Sequence, residues 1–237
     1  MKKIIISLVI LGSITTTSCS KEQQYKNNSI ATAHPLASEA GNEMYFKGGN
    51  AADAAVAAAF TLSVVEPSMS GIGGRLQAII RLQDNEIRGI DASTQVPENY
   101  NKEIKANNYE TIGIPGTVAG LLEIHSKYGR LDLKTVMEPA INYAMNGFKI
   151  LEGESIRQEL ARIELIKNKQ TAKYFLKNDS ISYEKGEMFI QKDLAKVLKK
   201  ISTEGSKAFY EGEIAEKIEE DILANNGFIT KEDLKNY

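Results

Sequence analysis

Two histidines and one cysteine are all that the 237-residue chain offers for thiol or imidazole chemistry. His34 stands before Pro35 at the head of a helix-like stretch, and His125 sits between Glu123 and Lys127. A structural zinc site takes about four ligands, so a Cys/His metal centre is nearly excluded, and a single cysteine allows no disulfide within the chain. The two imidazoles read as a helix-end residue and a surface residue. No G-x-S-x-G nucleophile elbow is present among the serines. Gly71-Ile72-Gly73-Gly74 falls between a helix and a strand, whereas dinucleotide loops run from strand to helix. Such a cluster suits close backbone approach to a ligand, or N–H donation to a developing negative charge. Glu219-Glu220-Asp221 and Lys199-Lys200 read as solvated helix faces. Residue types and spacing alone yield no complete catalytic set.

The elements that must carry this chemistry belong to a folded chain. Apolar residues make up 42% and charged residues 25%, ordinary for a soluble domain and far from a disordered or multi-pass membrane protein. Lys+Arg 29 against Asp+Glu 31 leaves a net charge of −2, so nothing argues for a nucleic-acid partner. Lys2 and Lys3, the apolar run Ile4 to Leu11 and the small residues up to Cys19 have the layout of a secretory leader. Cys19 stands where a lipoprotein signal places its acylated residue, although Thr16 occupies a position usually aliphatic. The expectation is a leader over 1–18, a polar tether over 19–30 and one domain over 31–237. The destination is then the cell envelope, with a lipid anchor on Cys19. An ordinary leader, leaving Cys19 as a free thiol, is the alternative.

Along the domain, Ala37, Ala40, Gly41, Met44 and Tyr45 share one helical stripe, and Gly48-Gly49 ends that helix. Asn50 is placed to cap the next, with Asp53 in its first turn. From Ala51 to Val65 only Asp53, Thr61 and Ser63 are polar, so that helix is buried. Strands are predicted over 76–82 and 87–90 around a polar turn. Further helices are predicted over 117–128, 133–146 with a kink or restart at Pro139, 154–167, 170–176, 191–202 and 208–225. A capping box at Thr230 with Asp233 opens a last helix. Two strands are too few for a self-sufficient sheet. The expectation is that the alanine-rich helix needs a covering surface from beyond Tyr237, and that the chain alone exposes a large apolar face.

Several segments are specific in combination: HPLASEAG from His34, GGNAADAAVAAAFTLSVVEP from Gly48, MSGIGG from Met69, GIPGTVAG at 113–120, YGRLDL at 128–133, PAINYAMNGF at 139–148, and FYEGEIAEKI with GFITKEDL within 209–234. In this order and spacing they resemble the N-terminal part of the large subunit of the γ-glutamyltranspeptidase (glutathione hydrolase) family. The resemblance implies an α/β fold of the N-terminal nucleophile hydrolase type, an αββα sandwich of which only the helix-rich N-terminal part is present. It implies a precursor that cleaves itself, and a threonine nucleophile leading the small subunit with its own α-amino group as base. No counterpart of that threonine lies in this chain, so the catalytic residues are expected elsewhere and the chain alone is expected to be inactive. The implied substrates are γ-glutamyl compounds such as glutathione, with water or an amino acid as acceptor. The implied partner is the remaining C-terminal part or small subunit, and no metal or organic cofactor is implied.

Two departures bear on binding. The family uses a large-subunit arginine to grip the substrate α-carboxylate. Within Asp91-Ala92-Ser93-Thr94-Gln95-Val96-Pro97 its position falls on Ser93 or Gln95, according to the subfamily compared, and neither is charged. After the glycine loop, Arg75-Leu76-Gln77 replaces the two further glycines and aromatic of many members, and Arg75 is a candidate for the missing positive charge. The alternatives to an enzyme are a truncated non-catalytic remnant and a lipid-anchored protein that binds γ-glutamyl compounds.

Overall fold

The computed structural model describes residues 28–100 and 109–237. The expected leader over 1–18 and most of the tether, Cys19 included, lie outside the described residues.

Helix α1 (Pro35–Phe46) starts at His34, whose Nδ1 accepts the Leu36 N–H at 3.2 Å. Pro35 supplies the fixed φ of a first helical residue. Ala37, Ala40, Gly41 and Met44 form its buried face, and Tyr45 is half-buried at the edge of that stripe. Helix α2 (Ala51–Val65) is the core rod, with Val56, Phe60, Val64 and Val65 fully enclosed. It packs on α1, on α3 (Thr117–Tyr128) and on α4 (Leu133–Asn146).

This corrects the expectation of a large uncovered apolar face. Helices of the same chain cover the rod, leaving Ala51 and Ala55 exposed and Ala52, Ala59 and Leu62 half-buried. Alanine makes this possible, because side chains ending at Cβ let three helices approach one axis closely.

Asp53 fixes α2 to the rest of the chain. Its carboxylate is fully buried and accepts the backbone N–H groups of Asn50 (2.8 Å), Arg130 (3.0 Å) and Leu131 (3.2 Å). Asn50 in turn accepts from Ala52 and Asp53 and donates Nδ2 to the Tyr128 carbonyl at 2.6 Å. A carboxylate surrounded by N–H donors at a helix start is compensated where a lone buried charge would not be. The YGRLDL segment is thus the partner of the α2 cap, and Asp132 then caps α4 through Thr135.

Helix α4 runs across Pro139 without the restart that is one of the outcomes expected there. Val136, Met137, Ala140 and Ala144 bury on α2 and on α7 (Lys192–Glu204), and this packing offsets the hydrogen bond that proline removes. Helices α5 (Glu152–Lys167) and α6 (Lys169–Phe175) follow. The helix expected over 208–225 is two: α8 (Lys207–Tyr210) and α9 (Gly212–Ala224), divided by extended Glu211 and by Gly212 at φ +71°. Helix α10 (Lys231–Lys235) opens with the Thr230–Asp233 capping box, both halves formed.

The strands are few, as expected. β1 (Leu76–Arg81) and β2 (Ile87–Ala92) form an antiparallel hairpin with Leu76 opposite Ala92 and Ala78 opposite Ile90. A pair of two-residue strands, β3 (Phe148–Lys149) and β4 (Met188–Phe189), is too short to leave a sequence signal. One hairpin face, with Leu76, Ala78, Ile80 and Ile90, packs into the core. The other carries Gln77, Ile79 and Asp91, and is open, with Ile79 83% exposed.

Candidate functional site

The strand β2 leads into an extended strap, residues 91–98, and two separate parts of the chain, 113–120 and 233–237, hold it. Gln95 N–H donates to the Ile114 carbonyl (3.2 Å) and Ile114 N–H to the Gln95 carbonyl (2.8 Å), a one-residue bridge. Tyr237 donates its hydroxyl to the Ser93 carbonyl at 2.7 Å. Asp233, in the α10 capping box, accepts Glu98 N–H at 3.0 Å. Beneath, the G-I-P-G-T-V-A-G segment gives the strap room: a Cβ on Gly116 would run into the Ala92 carbonyl and the Tyr237 hydroxyl, and one on Gly120 would sit 2.6 Å from the Ala92 Cβ. Glycine is required at both by close approach.

Two tyrosines complete the buttress. The rings of Tyr210 and Tyr237 stack at 5.6 Å and 8°. Tyr210 donates to the Pro115 carbonyl (2.7 Å) and accepts Ala119 N–H (3.1 Å). Burial pushes its phenol well up from the ordinary value, so it stays a neutral donor. Burial, then the nearby Asp91 charge, raises the Tyr237 phenol as well.

The structure separates the sequence candidates. The Ser93 hydroxyl is committed: it donates to Asp91 Oδ1 at 2.6 Å, and the Gln77 amide approaches the same two groups at 3.4 Å. The Ser93 hydroxyl, then the Gln77 amide, then the Ser93 N–H hold the Asp91 carboxyl below its ordinary value, so the spot beside Ser93 carries a negative charge. The Gln95 side chain is exposed and makes no side-chain hydrogen bond among the described residues. Arg75 is exposed at the end of the glycine loop and has no ion pair among the described residues. Gln77 was not singled out by the sequence. The signal available was strand alternation, which sets it across from Asp91 on the open hairpin face.

The glycine loop ends where the strap's support begins. The Gly74 carbonyl accepts Gly116 N–H (2.9 Å) and Thr117 N–H (3.2 Å) at the start of α3. Strap, loop and G-I-P-G turn therefore meet at one helix end. A groove of about 580 Å³ runs under the same junction, lined among others by Asp91, Glu123, His125, Tyr210 and Tyr237. Ser93, Gln95 and Arg75 lie outside its lining. His125 is engaged in structure, its Nε2 at 2.9 Å from the Leu131 carbonyl. Among the described residues no three His, Cys, Asp or Glu side chains gather to hold a metal ion, and no helix is long and apolar enough to cross a membrane.

Comparison with known proteins places this arrangement. The family profile described as gamma-glutamyltranspeptidase matches residues 37–237. The chain is 38% identical over 208 residues to the capsule biosynthesis protein CapD proenzyme of Bacillus anthracis, covering 88% of this chain and 37% of that protein. It is 36% identical over 230 residues to the glutathione hydrolase proenzyme of Bacillus subtilis, covering 90% of this chain and 38% of that protein. The chain thus spans less than two fifths of the length of these relatives. The crystal structure of Helicobacter pylori γ-glutamyltranspeptidase superposes with a TM-score of 0.86 at 40% identity, over 90% of this chain and 65% of that one. The γ-glutamyltranspeptidase of Pseudomonas nitroreducens superposes with a TM-score of 0.81 at 32% identity. With the family profile matched over most of its length and relatives above 30% identity over nine tenths of it, the chain belongs to the γ-glutamyltranspeptidase family, and its described residues have the helix-rich N-terminal part of that family's N-terminal nucleophile hydrolase fold.

Proposed function

We propose that the chain is the N-terminal, donor-binding portion of an enzyme that takes a γ-glutamyl group from a compound such as glutathione and passes it to water or an amino acid. Its strap receives the donor's α-carboxylate. The observation that carries this reading is the convergence of two distant chain segments, 113–120 and 233–237, on residues 91–98, a degree of support that a solvent loop does not need. Of the two positions where the family arginine falls, Gln95 is the better suited. Its amide is exposed and free to donate, while Ser93 is occupied by Asp91, whose charge repels a second carboxylate. An amide donor is weaker than a bidentate guanidinium, and Arg75 supplies the positive charge from the adjoining loop.

The nucleophile in this reading is a threonine outside residues 1–237, and its own amine takes the proton. The chain's share of the chemistry is to bind and orient: holding the α-carboxylate fixes the γ-carbonyl, and orientation lowers the barrier without any proton transfer by these residues. The chain is exported and lipid-anchored at Cys19, which puts this chemistry at the cell envelope.

The test is a calorimetric titration of residues 19–237 with L-glutamate and glutathione, wild type against Gln95→Ala, Arg75→Ala and Ser93→Ala. The reading expects Gln95→Ala and Arg75→Ala each to weaken binding about tenfold, the scale of one lost hydrogen bond to a charged group, and Ser93→Ala to leave it unchanged or tighter. Absence of binding to the wild type, or loss on Ser93→Ala alone, contradicts it.

A further inference from the structure

The glycine loop hangs between two anchors. Its rear anchor, Gly74 on the start of α3, is backbone. Its front anchor is ionic. Glu154, in the first turn of α5, is 2% exposed, and its Oε2 accepts the Ser68 hydroxyl at 2.5 Å and Arg157 Nη2 at 3.1 Å. Arg157 Nε donates to the Ser68 hydroxyl at 2.6 Å, and its Nη2 also reaches Glu66 Oε1 at 3.3 Å. One hydroxyl is therefore fixed on both sides: it receives from a guanidinium and gives to a buried carboxylate.

An apolar contact would hold α5 against the end of α2 at least as well, because a buried ion pair stabilises little in net terms. What charged, directional bonds add is placement of a single atom. Between the anchors Ile72 packs against the core and the Glu66 carbonyl accepts the Met69 and Ser70 N–H groups (3.0 and 2.8 Å), while the rest of the loop is open. Met69 is 68% exposed, and added Cβ atoms on Gly71 and Gly73 would meet nothing within 4 Å.

We propose that Glu154 is a positioning residue that acts through Ser68 and Arg157 to fix the entry of the 69–74 loop, and so the place at which the loop presents its amides and Arg75. The inference deepens the donor-binding reading and rests on it only for what the loop meets.

The experiment is amide hydrogen exchange on the 237-residue chain, comparing wild type with Glu154→Gln, Ser68→Ala and Ser68→Thr. Exchange at Met69 and Ser70, the loop amides that donate to the Glu66 carbonyl, is expected to rise about tenfold in Ser68→Ala and in Glu154→Gln, and to return to the wild-type rate in Ser68→Thr, which keeps the hydroxyl. The Arg130 and Leu131 amides held by Asp53 serve as the internal reference and are expected not to change. The double variant is expected to match the larger single effect, since both remove one device. Unchanged exchange at Met69 and Ser70, or acceleration spread evenly through α2 and α4, overturns the proposal. If Glu154→Gln does not fold, the Ser68 pair decides alone, because Ser68 is a surface residue. A loop effect without donor binding sinks the functional reading and spares this one; donor binding with no loop effect does the reverse.

Discussion

The glycines at 113–120 and those at 71–74 have similar composition and opposite surroundings. In the first group each close approach is met inside the chain: Gly116 by Ala92 and Tyr237, Gly120 by Ala92 and Leu76. In the second, Gly71 and Gly73 face open space and neither has a positive φ. Nothing in the described fold calls for glycine there. The same residue type therefore marks two things, close packing finished within these residues at 116 and 120, and open backbone at 71 and 73.

That contrast is open to direct attack. The largest effect is expected from Gly116→Ala, whose methyl must displace backbone and a stacked tyrosine; a loss of about 3 kcal/mol in a denaturant melt follows from such overpacking. Asp53→Ala, which strands the buried N–H groups of Arg130 and Leu131, is expected to cost about 2–3 kcal/mol by the same measurement. A small change in either would mean that the finished side is looser than its contacts indicate.

A third, smaller effect is pH-dependent and sits next to the loop's front anchor. His34 caps α1 through a neutral Nδ1, and its Nε2 is buried without a partner. Burial lowers its pKa from the ordinary 6.5, and the Glu154 charge opposes that shift. The folded state thus takes up the proton less readily than the unfolded chain. Stability is full above pH 6.5 and falls as the pH drops from there through the lowered folded value. His34→Asn keeps a capping oxygen and does not titrate, so its melting temperature is expected to lack this loss as the pH falls below 6.5. An identical acid slope in both proteins would place the titrating group elsewhere.

The smallest effect on stability is expected at the open side. Gly71→Ala should move the melt by no more than about 0.5 kcal/mol while weakening donor binding, if backbone approach is what the position serves. A large stability loss would show that the loop is packed by this chain after all.

Much of the fold was legible in the sequence. Helices α1 to α4 were, because their apolar stripes, the Asn50 cap and the Gly147 stop are local signals. The covering of α2 was not, since no periodicity says which of several helices will close on an alanine face. The division at Gly212 was hidden by a continuous apolar pattern on both sides. At the site, the motifs were visible as strings, but their common purpose was not. That GIPGTVAG, Tyr210, Asp233 and Tyr237 all serve residues 91–98 depends on contacts between residues roughly 20 to 144 apart in the chain. The distinction between Ser93 and Gln95 rested on one hydrogen bond to Asp91, which only geometry supplies.

The central claim is that these residues bind and orient a γ-glutamyl donor while the nucleophile comes from outside them. It is tested most directly by incubating purified residues 19–237 with a γ-glutamyl anilide and following release of the coloured amine. The account predicts none above the buffer blank, and turnover by this chain alone would contradict it.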